Sequence, residues 1–158
     1  MKEIPLDEFV TFQLLRLTNQ FSRQATKLLL IHTGLRLPEW RCLSILGAYG
    51  PQHINQIVAR LSADKGLISR SLTSLENSSY VRMKRNTVDR RQIIVTLSAK
   101  GRKTLKLMMP IIQHRHSKLV ANLTKQDREM LSKIMAKLHK ASMLVDEEMG
   151  IKNSIDPD

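Results

Sequence analysis

The chain has 158 residues, 42% of them hydrophobic, which suits one domain or two small lobes sharing a core and argues against wholesale disorder. It carries 26 Lys and Arg against 14 Asp and Glu, a net charge of +12 that favours polyanionic partners such as nucleic acid. Aromatic residues make up only 4%, against a stacked-ring platform for single strands, and the lone Cys42 excludes a disulfide framework or a multi-cysteine zinc site. No continuous apolar run is long enough to span a membrane, and an acidic, amphipathic start (Glu3, Asp7, Glu8) does not read as a signal peptide. The expectation is a soluble cytoplasmic protein.

In chain order, Val10, Leu14, Leu17, Phe21, Ala25 and Leu28 recur at helical spacing, which predicts a helix from Leu6 to about Leu30 that ends near Gly34. Further apolar residues off that stripe (Phe9, Phe12, Leu15, Leu29, Leu30, Ile31) widen it beyond the needs of a lone surface helix. A partner surface is one explanation. Three short helices follow. Leu37-Pro38-Glu39-Trp40 opens the first, with proline at the first helical position and an acid at the positive end of the dipole, and Gly50-Pro51 ends it. The second runs from about Ile54 to Leu61. The third is capped by Asp64 and reads Lys65 to Asn77, with Leu67, Ile68, Leu72 and Leu75 inward.

The period then changes. Tyr80–Arg85 alternates and Gln92–Leu97 is rich in β-branched residues, so both read as strands joined by the charged connector 86–91. Ser98 begins a long helix in which Pro110 predicts a kink or local break. Thr124 caps a last helix with Leu131, Ile134, Leu138, Ala141 and Val145 on one stripe, and residues 151–158 read as a frayed acidic tail.

The charge is not spread evenly. Residues 64–103 hold ten basic and three acidic residues, so +7 of the +12 falls on forty positions. Such a patch is the footprint of phosphate binding. The outward face of the third short helix, Lys65, Ser69, Arg70, Thr73 and Ser74, offers short polar groups with cations, suited to base edges and phosphates in a major groove. Three short helices and a hairpin describe a winged helix-turn-helix in a mainly α chain.

In order along these elements, Leu37-Pro38-Glu39-Trp40-Arg41, Asp64-Lys65-Gly66-Leu67-Ile68-Ser69-Arg70-Ser71-Leu72 with Leu75-Glu76, and Asp89-Arg90-Arg91 followed by Leu97-Ser98-Ala99-Lys100-Gly101 resemble the MarR (multiple-antibiotic-resistance regulator) family. The resemblance implies a homodimeric transcription regulator, a repressor, on a pseudo-palindromic double-stranded DNA operator in the nucleoid. It implies dimerisation helices at 1–34 and 104–150 flanking a DNA-binding domain at 35–103. It also implies that Arg91 enters a minor groove, that Asp89 orients the wing, and that Arg90 and Arg85 meet phosphates. A small aromatic or phenolic acid is the effector class it suggests, with His32, Trp40 and Met108 as candidate contacts. The chain departs from the family where Asn77-Ser78-Ser79 replaces the usual glycine after the recognition helix; Asn77 is expected to tolerate the left-handed turn.

Other readings are weaker. Cys42 beside Leu43 on an apolar stripe suits packing better than redox sensing. His114 and His116, two apart, face different sides of a helix and do not form a metal pair. Neither a phosphate loop nor an acidic cluster suggests catalysis, and no cofactor is expected. The alternative function is an architectural nucleic-acid-binding protein with no effector and no sequence preference.

Overall fold

The hydrophobic periods of the sequence become nine regular elements in the computed structural model, which describes residues 4–85 and 92–150. A 3-10 turn at Leu6–Glu8 precedes α1 (Val10–His32), followed by α2 (Leu37–Tyr49), β1 (Gln52–His53), α3 (Ile54–Leu61), α4 (Lys65–Asn77), β2 (Val81–Arg85), β3 (Ile93–Leu97), α5 (Ala99–Leu119) and α6 (Lys125–Glu148). The chain divides into two units, Met1–Thr104 and Leu105–Asp158. The fold is a winged helix with added helices, as the pattern of elements predicts.

The first unit is centred on α2 and α4, which pack on each other and on α3, with α1 against α2 and β3 closing the side. Leu29, Leu43, Leu46, Ile57, Ile68, Leu72, Leu75, Val81 and Val95 are fully buried here. Each contributes about 1.5–3 kcal/mol by leaving water. Glu39 is buried as well, and its carboxylate accepts the Arg36 N–H at 2.7 Å while the Arg36 side chain lies 3.5 Å away. The acid of the Leu37-Pro38-Glu39 start thus closes the first turn of α2 back on its own cap.

Several expectations need correction. The first helix is split, because Phe9 is extended (φ −66°, ψ 122°) between the 3-10 turn and α1. Leu67 does not face inward with Ile68, Leu72 and Leu75; it is 39% exposed and Ser71 takes the inward place, its hydroxyl donating to the Leu67 carbonyl. At 3.6 residues per turn, positions 68, 71, 72 and 75 share one stripe, and 67 lies roughly a quarter-turn from its centre. The hairpin gains a strand: β1 pairs antiparallel with β3 (Gln52↔Val95, His53↔Ile94), giving the order β1-β3-β2. Two residues are too few to show a period. Pro110 does not break α5, which continues through an exposed position there.

The turn from α4 into β2 sets the geometry of the wing. Ser79, not Asn77, adopts the left-handed conformation (φ 61°). Its N–H donates to the Glu76 carbonyl (2.8 Å) and the Tyr80 N–H to the Leu75 carbonyl (2.8 Å), the Schellman pattern that ends a helix. The start of α5 then caps this turn. Lys100 Nζ donates to the Ser78 carbonyl (2.8 Å), Ser98 Oγ to that of Ser79 (2.7 Å) and Ser98 N–H to that of Tyr80 (3.0 Å). A Cβ on Gly101 would overlap the Tyr80 carbonyl oxygen and lie 3.1 Å from Leu97 Cδ2.

In the second unit, Thr124 caps α6 as expected: Asp127 N–H donates to Thr124 Oγ1 (3.1 Å), and the Thr124 hydroxyl and N–H donate back to the Asp127 carboxylate. Those bonds hold the Asp127 carboxyl below its ordinary range. The α6 stripe of Leu131, Ile134, Leu138 and Val145 is exposed throughout.

Three variants test this packing. Gly101→Ala should lower unfolding free energy by about 2 kcal/mol or more, since the obstacle is backbone rather than a movable side chain. Ser79→Gly should raise it by about 0.5–1 kcal/mol, relieving left-handed strain at an exposed site; both are read by urea denaturation. Cys42 is buried, and desolvation, with the Glu39 charge adding, pushes its thiol up to about 12. At pH 8 the thiolate fraction is then on the order of 10⁻⁴, so iodoacetamide should modify the native protein negligibly and the urea-unfolded protein fast. Peroxide should act alike on wild type and Cys42→Ser.

Candidate nucleic-acid interface

The site is built on α4 because one helix serves both core and solvent. Asp64 Oδ1 accepts the Leu67 N–H at 2.7 Å and fixes where the helix begins. From that start, Ile68, Ser71, Leu72 and Leu75 turn inward, which leaves Lys65, Ser69, Arg70 and Thr73 exposed and Ser74 half-buried. The five polar residues expected on the outer face therefore lie on one surface. Thr73 Oγ1 donates to the Ser69 carbonyl at 3.1 Å, which fixes its rotamer. Leu67 sits at the margin of this face, an apolar residue that sequence reasoning assigned to the core.

The hairpin continues the polar surface. Antiparallel pairing runs from Val81↔Leu97 to Arg85↔Ile93. Val81 and Met83 turn inward, while Arg82, Lys84 and Arg85 are exposed. Arg85 is thus placed at the outer end of β2, as expected. Asp89, Arg90 and Arg91 lie outside the described residues. Arg82 and Lys84 were not singled out by sequence, although strict alternation along the strand points both of them outward.

The helix and hairpin are tied together locally. Glu76 Oε1 accepts the Met83 N–H at 2.7 Å, joining the last turn of α4 to the middle of β2. Lys100 lies 4.1 Å from the centre of the Tyr80 ring while it holds the Ser78 carbonyl. Arg102 donates to the Leu97 carbonyl at 2.8 Å. Lys100 and Arg102 are thus occupied by the turn and strand they brace.

The three candidate effector contacts are placed differently from one another. His32 is exposed in the last turn of α1, Trp40 is 7% exposed in α2, and Met108, in the second unit, is 1% exposed. Among the described residues no cluster of His, Cys, Asp and Glu is suited to a metal ion, and no helix is long and apolar enough to cross a membrane.

Comparison with known proteins agrees with this geometry. The family model described as MarR family matches residues 35–93, from the approach to α2 to the start of β3. The chain is 33% identical over 109 residues to the HTH-type transcriptional regulator TtmR of Methylorubrum extorquens, covering 69% of this chain and 55% of TtmR. It spans 55–65% of the length of the curated relatives it matches. The fold is similar to that of a MarR/EmrR family transcriptional regulator from Acinetobacter sp. ADP1, with TM-score 0.83 and 21% identity over 89% of this chain and 99% of that one. It is similar also to a mutant MarR from E. coli complexed with operator DNA, with TM-score 0.73 and 20% identity over 86% and 99%. The family match covers the α2-to-hairpin region that carries the candidate face: residues 35–93 of the chain belong to the MarR family.

Proposed function

We propose that the chain is a transcription regulator, a repressor, that binds a pseudo-palindromic double-stranded DNA operator as a homodimer. The observation that carries this reading is the exposed face of Lys65, Ser69, Arg70 and Thr73 on a helix continuous with a basic hairpin. A helix of this width fits the major groove, where arginine pairs with guanine and short hydroxyls adapt to either partner. Lys65 and Arg85 would meet phosphates, as would Arg90, while Asp89 orients the wing and Arg91 enters the minor groove, where a narrow groove attracts arginine.

The homodimer is supported by apolar surface that the chain does not cover. Val10 and Leu17 on α1, and Leu131, Ile134 and Leu138 on α6, recur at helical spacing and are all exposed. Exposed apolar stripes of that length mark association surfaces. Two-fold pairing would set two copies of α4 about one turn of duplex apart, roughly 34 Å. A small-molecule effector that weakens DNA binding belongs to this reading through the family resemblance. An aromatic acid seeking Trp40 or Met108 would have to open a closed surface.

The test begins with selection of duplex from a random-sequence pool by the full chain. A regulator should bind the enriched site at least about 10³-fold tighter than random duplex, whereas an architectural protein would show no such ratio. Arg70→Ala should cost about 1–3 kcal/mol on that site, and Arg91→Ala should weaken binding with the oligomeric state intact. Loss of folding in Arg91→Ala would instead make that arginine structural. Leu138→Glu should shift the protein from dimer to monomer in light scattering and lower operator affinity with it.

A further inference from the structure

Glycine inside α4 asks for a reason. Even in the first turn, where Gly66 stands, glycine loses more backbone freedom on folding than alanine would. Gly66 has ordinary helical backbone, so its conformation does not require glycine. What its missing side chain provides is space. A Cβ there would lie 3.1 Å from Arg70 Nη1, 3.8 Å from Arg70 Cζ and 3.2 Å from Asp64 Oδ1. The guanidinium of Arg70 therefore lies back over the first turn of α4, across the surface that a side chain at position 66 would fill. That direction is natural for a long helical side chain, which leans toward the N-terminus of its helix.

Of the two groups over Gly66, only one can yield. Asp64 Oδ1 is held by the Leu67 N–H at 2.7 Å, the bond that starts the helix. Arg70 is exposed, and its guanidinium is the far end of a flexible side chain. A Cβ at position 66 would leave the cap in place and crowd the guanidinium, which must give by a few tenths of an ångström. Its position matters, because helix-turn-helix proteins read base edges mainly with the N-terminal part of the recognition helix. Arg70 is near the middle of α4 by sequence, yet its donor fork sits over the beginning of that helix. The nearby Asp64 carboxylate favours the same position, since opposite charges in this range attract even when partly screened.

We propose that Gly66 is a positioning residue for DNA recognition: its missing side chain forms the channel through which Arg70 carries its guanidinium fork to the N-terminal end of α4. The proposal rests on the DNA-binding reading above. It assigns specificity to a residue with no polar group of its own.

The test is a double-mutant cycle on the full-length protein. Wild type, Gly66→Ala, Arg70→Ala and the double variant are titrated, at one fixed salt concentration, with the duplex enriched by the wild type from a random pool. Their melting temperatures are measured alongside. Gly66→Ala should keep or raise the melting temperature, because alanine is the better helix former. It should weaken binding to the enriched duplex on the order of tenfold, a part of what one bidentate base contact supplies. In the Arg70→Ala background the same substitution should change affinity less than about twofold, the signature of two residues acting through one contact.

Equal losses in both backgrounds would overturn the proposal, because the new methyl would then be meeting DNA directly. An unchanged affinity for Gly66→Ala in the wild-type background would overturn it too, as would a fall in melting temperature, which would make the glycine a requirement of the fold. Failure of the DNA reading itself is seen separately and first: the unmodified protein would then enrich no duplex.

Discussion

Three successive backbone carbonyls, those of Ser78, Ser79 and Tyr80, govern the geometry of the site. Each receives a donor from the start of α5: Lys100 Nζ, Ser98 Oγ and Ser98 N–H. Swinging the turn would break all three bonds, each a net stabilisation of about 0.5–1.5 kcal/mol. The left-handed conformation of Ser79 aims the carbonyls, and the bare Cα of Gly101 lets α5 come close enough to reach them. With Glu76 holding the Met83 N–H, hydrogen bonds tie together α4, the base of the hairpin and the start of α5. The candidate face is thereby fixed as a surface before any ligand meets it, which lowers the ordering cost of binding.

The same economy governs α4. Core packing specifies only the stripe of Ile68, Ser71, Leu72 and Leu75, so the outer residues are open to other demands. Gly66 and Ser79 both go against local preference, one inside the helix and the other just beyond its end. Neither improves stability. Departures of this kind mark places where geometry has been favoured over stability. Gly66 frees the surface that the Arg70 guanidinium covers, and Ser79 directs the chain into the hairpin.

Most of this architecture was legible in the sequence because its signals are local. Asp64 marks the start of α4 and Gly50-Pro51 the end of α2, and the change from period 3.6 to period 2 at Tyr80 announces the hairpin. The outer face of α4 followed from spacing alone. What sequence missed depends on where neighbours lie. Leu67 stands at the edge of its apolar stripe, and only the packing partners decide whether such a residue is covered. β1 exists because β3 offers it an edge, and two residues hold no pattern to announce it. The left-handed residue fell to Ser79 and not to Asn77 because helix length, set by the cap and the core stripe, fixes where the turn comes. The relation of Arg70 to Gly66 is invisible in a linear reading that treats glycine only as a source of flexibility.

The distribution of charge reads differently once the hydrogen bonds of its acids are placed. Among the described residues, no cation of α4 or of the hairpin strands takes part in an ion pair, whereas Arg36 pairs with Glu39 and Lys125 with Glu129. Two acids of the patch are already committed to backbone, Asp64 to the Leu67 N–H and Glu76 to the Met83 N–H. Carboxylates that serve as structural acceptors are poorly placed to neutralise nearby cations as well. Lys65, Arg70, Arg82, Lys84 and Arg85 outnumber the acids beside them and repel one another. An anion from outside would relieve that repulsion. In the proposed complex, a duplex supplies one charge per roughly 1.7 Å of axis and releases its own counterions on binding, so the repulsion built into the surface would become part of the driving force for association.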